Sequence, residues 1–340
     1  MTSWKGGACK MPETYRSVFD EEIRTHMGLR KKELGSEAYR HYKRTVKLFD
    51  EYLCRIGQKE KEIPEPVIEG WIGEVSNGIS VNTAAIHVHY IRQLLRYLIN
   101  CGCPCFIPRP VITRDTYVPY LYTDEDLEKI FMLADNLEAP HAVKNVYIGN
   151  EMPMLLRLLL CCGLRAGEAL GIKVGDIDFH RKLLILRVTK KYKQRLVPFG
   201  DELSGILYRY CLAMGILDDA GAYLFPTADA NVPISSNTVR NYFKKILEEA
   251  GIRYYRGNAY ERGACVHCLR HSFAVRSFGK NERNGINPRE SVPFLSTYLG
   301  HDSLYETEKY LKYSGGYFSD TLEKFEAFAG VLFPEVDFDE

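Results

Sequence analysis

The sequence predicts a mostly α-helical chain with one small antiparallel sheet. Apolar residues recur at helical spacing along most of the chain, which is typical of amphipathic helices. Two β-rich runs occur close together, on either side of the polar turn at 190–194, and predict a hairpin. With 340 residues, the chain is long enough for two domains, each with its own core.

The first hundred residues predict a small helical bundle with one basic face. Residues 36–57 place an apolar stripe on one side of a helix, formed by Tyr39, Tyr42, Val46, Phe49 and Leu53. The other side carries the candidate DNA-binding residues Arg40, Lys43, Arg44 and Lys47. Further helices are expected at 66–75 and 81–100. Taken alone, the basic side is more typical of a solvated helix face.

A proline-rich stretch at 101–119 lacks periodicity and predicts a linker. We therefore expect one domain over residues 1–112 and a second over 113–340. The second domain begins with a helix near residue 124, where Thr123 and Asp126 have the spacing of a capping box. Helices then surround the hairpin, and residues 152–172 are expected to be helical.

Composition limits the class of protein. The net charge of +1 hides an asymmetry, because residues 1–112 carry +4 and residues 113–340 carry −3, which is compatible with nucleic-acid binding. We find no apolar run long enough to span a membrane and no export signal, and we expect a cytoplasmic protein. The ten cysteines are then expected to be reduced. The motif CGCPC and the pair Cys265/Cys268 lack the partner pair of a structural zinc site, so no metal is expected.

Two arginines stand in unusual surroundings. Arg165 follows a strongly apolar run, where a guanidinium is costly unless an anion meets it, and Glu168 could be that anion. His267 and Arg270 are three residues apart on a predicted helix and project to one side, where a phosphate would satisfy both. A histidine and an arginine that merely form hydrogen bonds at the protein surface would have the same spacing.

The stretch LGHDSLYETEKYLKY, residues 299–313, holds one histidine and three tyrosines. Ser303 and Glu306 have capping-box spacing, so a helix should begin after Ser303 and leave His301 in the preceding turn. On that helix Tyr310, Tyr313 and Tyr317 would share one face. Spacing alone favours an aromatic core stripe and cannot select a nucleophile.

As a set, these segments resemble the tyrosine recombinase family, also called the phage integrase family. The matching segments are CGLRAGEALGI, VTKKYKQRLVPF, HCLRHSFAV, YLGHDS and a tyrosine nine residues after that last histidine. The resemblance covers about residues 30–330. The chain departs from many members in having Leu-Lys after Tyr310, which leaves Tyr313 as a rival nucleophile.

The resemblance implies a helical core-binding domain, which binds DNA, followed by a catalytic domain. It implies that Tyr310 attacks the scissile DNA phosphate, giving a 3′-phosphotyrosyl link and a free 5′-hydroxyl. The expected catalytic set is Arg165, Lys190, His267, Arg270, His301 and Tyr310, with Glu168 orienting a neighbour. We expect His267 to accept the tyrosine proton, and His301 to donate a hydrogen bond to phosphate.

Lys190 is expected to protonate the leaving 5′-oxygen, with Lys191 and Lys193 as possible substitutes. No cofactor follows from this scheme, because the bond energy is kept in the covalent link. The implied partners are double-stranded recombination sites, bound by a homotetramer that associates with the nucleoid, and the expected role is movement of a mobile element. The C-terminal stretch YFSDTLEKFEAFAGVLF could dock on a neighbouring protomer or on its own domain. The alternatives are relaxation of DNA by a type IB topoisomerase-like enzyme, and a catalytically silent DNA-binding protein.

Overall fold

The computed structural model describes residues 15–113, 118–138, 147–187, 194–255 and 263–313. The chain divides into two compact units, Met1–Thr116 and Tyr117–Glu340. Among the described residues, no helix is both long and apolar enough to cross a membrane.

The first unit is all helical in its described part. Its helices are α1 Asp20–Glu33, α2 Ser36–Arg55, α3 Glu65–Ser76 and α4 Val81–Asn100. The sequence predicted α2, α3 and α4 to within two residues at each end. It did not predict α1, because that helix buries only Ile23, His26 and Met27 and is otherwise mostly charged.

The core of the first unit is formed by apolar and aromatic side chains of all four helices. Phe49 of α2 meets Trp71 of α3 edge to face, with ring centroids 5.2 Å apart. The predicted basic residues lie on α2 away from this core. Arg40 and Lys47 are largely exposed, and each pairs with an acid of the same helix, Glu37 or Glu51.

The second unit surrounds a three-stranded sheet with helices. The helices are α5 Asp124–Asp135, α6 Ile148–Cys162, α7 Ala166–Leu170, α8 Asp201–Ala213, α9 Ser236–Glu249, α10 Val266–Arg283, α11 Pro288–Leu299 and α12 Leu304–Glu308. The strands β1 Ile177–Asp178, β2 Leu183–Leu186 and β3 Arg195–Pro198 form an antiparallel sheet in that order. The predicted fold class is therefore confirmed.

The hairpin of β2 and β3 is the one that the sequence predicted. Leu183 pairs with Pro198 and Leu186 with Arg195, so Arg195 begins its strand at the end of the hairpin where the connection joins β2 to β3. Lys190, Lys191 and Lys193 lie in the connection between the strands, outside the described residues. Tyr317 and the C-terminal stretch also lie outside them.

The helix expected through residues 152–172 is interrupted. α6 ends at Gly163, which has φ 58° and ψ 29°, and a Cβ there would lie 2.4 Å from the ring of Phe273. A residue with a side chain would meet both a left-handed conformation and a clash. The break separates α6 from α7 and places Arg165 at the start of α7.

The expected helix after Ser303 is shorter than predicted. α12 does begin at Leu304, but the Ser303 side chain forms no cap hydrogen bond, so the expected capping box is absent. After Glu308 the hydrogen bonds link residues three apart, as in a 3₁₀ turn. The amide of Tyr310 donates to the carbonyl of Thr307, and the amide of Tyr313 donates to the carbonyl of Tyr310, both at 3.0 Å. Tyr310 therefore follows the helix and packs into an apolar cluster with α10 and α11.

Candidate active site

Arg270 is a buried guanidinium held by two helix ends. Its side chain is only 1% exposed on α10. Nη1 donates to the carbonyl of Gly163 at 2.7 Å, and Nη2 donates to the carbonyl of Leu299 at 2.8 Å. These carbonyls belong to the last turns of α6 and α11, where backbone oxygens lack helical partners and carry partial negative charge. The ends of two helices thus position one arginine.

Arg165 and Arg195 share the carboxylate of Glu168. Arg165 donates from its backbone amide to Oε2 at 3.0 Å and from Nη1 to Oε1 at 2.8 Å. Arg195 donates from Nη1 and Nη2 to the two oxygens, each at 2.9 Å. Burial opposes ionisation of Glu168, but the hydrogen bonds of Arg195 and Arg165 outweigh it and lower its pKa to about 2. Glu168 is therefore ionised at neutral pH, and its carboxylate orients both arginines.

The turn after α11 brings His301 to the arginines. Gly300 ends α11 with φ 67°, and its carbonyl accepts a hydrogen bond from Nη2 of Arg165 at 3.2 Å. Nδ1 of His301 lies 2.6 Å from the hydroxyl of Thr307. Burial and the nearby charges of Arg270, Arg165 and Arg195 lower the pKa of His301 to about 3. This imidazole is neutral at physiological pH.

Tyr310 is buried beside two histidines. Its side chain is 6% exposed, and its hydroxyl lies 2.8 Å from Nδ1 of His271. Its ring stacks on that of His301, with centroids 6.3 Å apart. Burial raises the pKa of Tyr310, whereas the positive charges of Arg270 and Arg165 act to lower it. The phenol is protonated at rest but lies within the field of two guanidiniums.

The charges of this group are unbalanced. Arg165, Arg195 and Arg270 are cations, Glu168 is the one anion among the described residues that pairs with them directly, and His301 is neutral. Burial and the repulsion of Arg165 lower the pKa of Arg270 to about 10, which still leaves it charged near pH 7. The cluster therefore attracts an anion, and a phosphodiester suits its planar donors.

The structure brings together most of the residues that the sequence singled out. Arg165, Glu168, Arg270, His301 and Tyr310 lie in one cluster of the second unit. His267 is exposed one helical turn before His271, with the two rings 4.7 Å apart. Tyr313 is half-buried against the same apolar cluster as Tyr310, and Lys312 lies over its ring.

Two residues of the cluster were missed by the sequence reasoning. Arg195 lies in the matching segment VTKKYKQRLVPF, in which roles were expected for lysines alone. His271 directly follows Arg270 and is one helical turn from His267. The i, i+4 spacing of the two histidines was a usable signal for His271. For Arg195 the only signal was its charge beside an otherwise apolar strand.

Over the described ranges, no group of three or more His, Cys, Asp or Glu side chains is arranged to hold a metal ion. Cys265 and Cys268 lie with their sulfur atoms 3.4 Å apart, without further ligands of that kind around them.

Comparison with known proteins gives the family. The sequence model of the phage integrase family matches residues 122–314, more than half of the chain. The chain belongs to the phage integrase family. Its fold and sequence are those of a site-specific tyrosine recombinase, which confirms the assignment made from the sequence motifs.

The relatives and solved structures agree with this assignment. A putative integrase/recombinase, y4rB, of Sinorhizobium fredii is 29% identical over 257 residues, 71% of this chain and 77% of that protein. The tyrosine recombinase XerA of Pyrococcus horikoshii is 27% identical over 209 residues, 61% of each chain. The XerH recombinase in a post-cleavage complex with its palindromic difH substrate superposes with a TM-score of 0.65, at 18% identity, over 90% of this chain and 85% of that one. Lambda integrase (75–356), as a dimer bound to a COC′ core site, gives a TM-score of 0.61 at 18% identity, over 85% and 96%.

Proposed function

We propose that this recombinase cleaves and rejoins DNA by attack of Tyr310 on a scissile phosphate. The attack forms a 3′-phosphotyrosyl bond and releases a 5′-hydroxyl; a second 5′-hydroxyl then attacks that bond and frees the tyrosine. The observation that carries the proposal is the burial of the Tyr310 hydroxyl in one cluster with Arg165, Arg270 and His301.

Arg165 and Arg270 have the role of stabilising the attacked phosphate. Charge accumulates on its non-bridging oxygens in the transition state, and preorganised guanidiniums lower that energy most when they need not move. Both are held by backbone carbonyls and Arg165 also by Glu168, which supports this role. His301 supplies a neutral N–H donor to a phosphate oxygen when its Nδ1 accepts from Thr307.

Lys190 is proposed as the acid that protonates the leaving 5′-oxygen, because the connection that carries it joins Leu186 to Arg195, and Arg195 is bonded to Glu168 of the cluster. A DNA with a bridging 5′-sulfur needs no such proton. We expect that substrate to restore cleavage by Lys190→Ala, and a lack of rescue would remove Lys190 from this role. Lys191→Ala and Lys193→Ala serve as matched controls.

The finer biological assignments belong to the same proposal. Residues 1–112 bind DNA through the α2 face of Arg40, Lys43, Arg44 and Lys47, and residues 113–340 catalyse. The functional assembly is a homotetramer on two recombination sites, located at the nucleoid, and its role is movement of a mobile element. The exposure of Arg40 and Lys47, and the weakness of exposed ion pairs on one helix, support the exchange of their acidic partners for phosphates.

A covalent-capture experiment tests the central step. A randomised pool of nicked duplexes is incubated with the wild-type protein in EDTA, covalent adducts are isolated under denaturing conditions, and the DNA and the modified residue are sequenced. We expect adducts on Tyr310 that Tyr310→Phe abolishes and Tyr313→Phe retains. Adducts on Tyr313 would move the nucleophile, and a pool that yields none would refute cleavage by this route.

A further inference from the structure

His271, a residue with no role in the scheme above, lies beside the atom that must react. Its Nδ1 is 2.8 Å from the Tyr310 hydroxyl, although the two residues are 39 positions apart in the chain. His271 is 7% exposed and Tyr310 6%, so the hydrogen bond is shielded from bulk water. The ring centroids are 5.5 Å apart at an interplanar angle of 50°.

Helix α10 accounts for this placement. Arg270 and His271 are adjacent in α10, about 100° apart around the helix axis, so the arginine reaches the carbonyls of Gly163 and Leu299 while the imidazole faces Tyr310. Because one rigid helix carries both groups, the phosphate-binding arginine and the partner of the nucleophile keep a fixed spacing.

The phenol requires a proton acceptor at this place. Burial raises the pKa of Tyr310, so hydroxide in solution would have to remove the proton from a group that it scarcely reaches. A general base must lie within hydrogen-bond reach of the proton that it removes, at about 2.6–3.2 Å. The His271–Tyr310 distance satisfies that condition.

We propose that His271 is the catalytic base of this recombinase: neutral, with its proton on Nε2, it accepts the Tyr310 proton at Nδ1 as the phenolic oxygen bonds to phosphorus. The P–O5′ bond breaks in the same step, and the 5′-oxygen takes a proton from the general acid. In rejoining, a second 5′-hydroxyl bonds to phosphorus and gives its proton to the now deprotonated general acid, while the His271 imidazolium returns its proton to Tyr310 as the P–O bond of the tyrosyl ester breaks. The inference rests on the proposed function and adds a residue to it.

The other two histidines fit this task less well. The pKa of His301, lowered to about 3 by burial and three arginines, makes it a weak acceptor, and its Nδ1 is taken by Thr307. His267 is exposed and places its ring at right angles to that of His271, with centroids 4.7 Å apart.

The first test compares single-turnover rates of adduct formation on the duplex recovered by covalent capture. Asparagine can place a hydrogen-bonding amide near the position of Nδ1, but it cannot accept a proton. We expect His271→Asn to cleave at least about 100-fold more slowly than wild type, and more slowly than His267→Asn. Wild-type rates in His271→Asn, or a larger loss in His267→Asn, would overturn the proposal.

A second test separates proton transfer from structural support. Joining a 3′-p-nitrophenyl phosphate strand to a 5′-hydroxyl releases p-nitrophenolate, which leaves without a proton. In a Tyr310→Phe background we expect His271→Asn to join this ester as fast as its His271 parent. Equal losses in this reaction and in cleavage would show that His271 merely supports the fold, and would refute a proton-transfer role.

The two proposals fail in different ways. If the wild-type protein forms no Tyr310 adduct in the capture experiment, the proposed function itself has failed. If it forms the adduct and His271→Asn forms it as rapidly, cleavage by Tyr310 stands and the assignment of His271 as base is wrong.

Discussion

Arg195 donates to both carboxylate oxygens of Glu168 at 2.9 Å, and through that carboxylate it is joined to Arg165. The strand that carries Arg195 thereby fixes a residue of α7. Under the proposed function, the arrangement makes Arg195 a positioning residue for Arg165, although Arg195 was not among the residues singled out by sequence.

Loss of Arg195 should slow cleavage without removing a group from the phosphate. Arg195→Ala leaves Glu168 buried with one arginine, so Arg165 shifts, and a displacement of about 1 Å can cost about 100-fold in rate. Arg195→Lys keeps the charge but not the paired donors, so its cleavage rate should lie between those of wild type and Arg195→Ala. Single-turnover cleavage on the captured duplex measures both. Arg157→Ala, which breaks a similar pair with Asp135 elsewhere in the unit, is the control; equal rates for the two alanine variants would contradict the role.

Gly300→Ala should disturb the site more than its backbone strain explains. Gly300 has φ 67°, and an added Cβ would lie 2.8 Å from Nη1 of Arg195. Gly285 has φ 77° with open space around it, so Gly285→Ala carries the conformational cost alone, about 1–2 kcal/mol. We expect Gly285→Ala to lower the free energy of unfolding by that amount and leave cleavage unchanged. Gly300→Ala should lose more stability and also cleave slowly, as denaturant titration and single-turnover assays would show; identical behaviour would exclude the contact.

Glu168 should stabilise the fold except in acid. Its pKa is about 2 in the folded chain against an ordinary value of 4.5, so the stabilisation is complete above pH 4.5 and is lost as the pH falls towards 2. The side chain is 4% exposed, and the difference corresponds to roughly 3 kcal/mol. The unfolding free energy of wild type minus that of Glu168→Gln, measured from pH 2 to 6, should rise with pH. A flat difference would mean that the carboxylate does not titrate in this way.

Glu151 should make the free energy of unfolding fall as the pH rises, which is the opposite of the effect of Glu168. Burial raises its pKa to about 8, and neither of its oxygens has a hydrogen-bond partner in the part of the chain that the structure describes. Between pH 4.5 and 8 the unfolded chain releases this proton and the folded chain keeps it, so stability falls by about 1.4 kcal/mol per pH unit from this group. Glu151→Gln should reduce that slope in denaturant titrations between pH 5 and 8. Glu128→Gln, at an exposed position of α5, should leave it unchanged.

The basic face of α2 should affect the salt dependence of DNA binding. Under the proposed function, each of Arg40, Lys43, Arg44 and Lys47 contacts one phosphate, so replacing one of them with alanine should lower the slope of log affinity against log salt by about 1. Fluorescence anisotropy with the captured duplex measures the slope. Lys59→Ala, at an exposed position outside α2, should not change it. Unchanged slopes in all four variants would mean that the face is merely solvated.

Local signals were sufficient for most helices and for the hairpin. The capping box of Thr123 and Asp126 forms as predicted and begins α5, and the spacing of apolar residues located α2 and α4. Such features depend on residues within a few positions of one another, which a single sequence displays directly. The end of α12 was missed because Tyr310 is drawn into a cluster formed by α10 and α11, a tertiary effect that overrides helical spacing.

The catalytic geometry depended on long-range pairing that spacing does not encode. Arg195 reaches a carboxylate 27 residues away, and His271 reaches a hydroxyl 39 residues away. Resemblance to a family supplied Arg165, Arg270, His301 and Tyr310, because each occupies a position of a known motif. It could not supply the partner of each group, which is fixed only when β3, α7 and α10 are packed together.

The acceptors that hold Arg270 are main-chain oxygens, of Gly163 and Leu299. Every residue type carries the same main-chain carbonyl, so substitution of Leu299 leaves the acceptor in place provided that α11 still ends in the same turn. Mutational drift can therefore replace much of the surrounding sequence without displacing this arginine. Directed evolution towards new DNA targets can likewise substitute these neighbours of Arg270. Gly163 and Gly300 are the exceptions, because their left-handed turns require glycine.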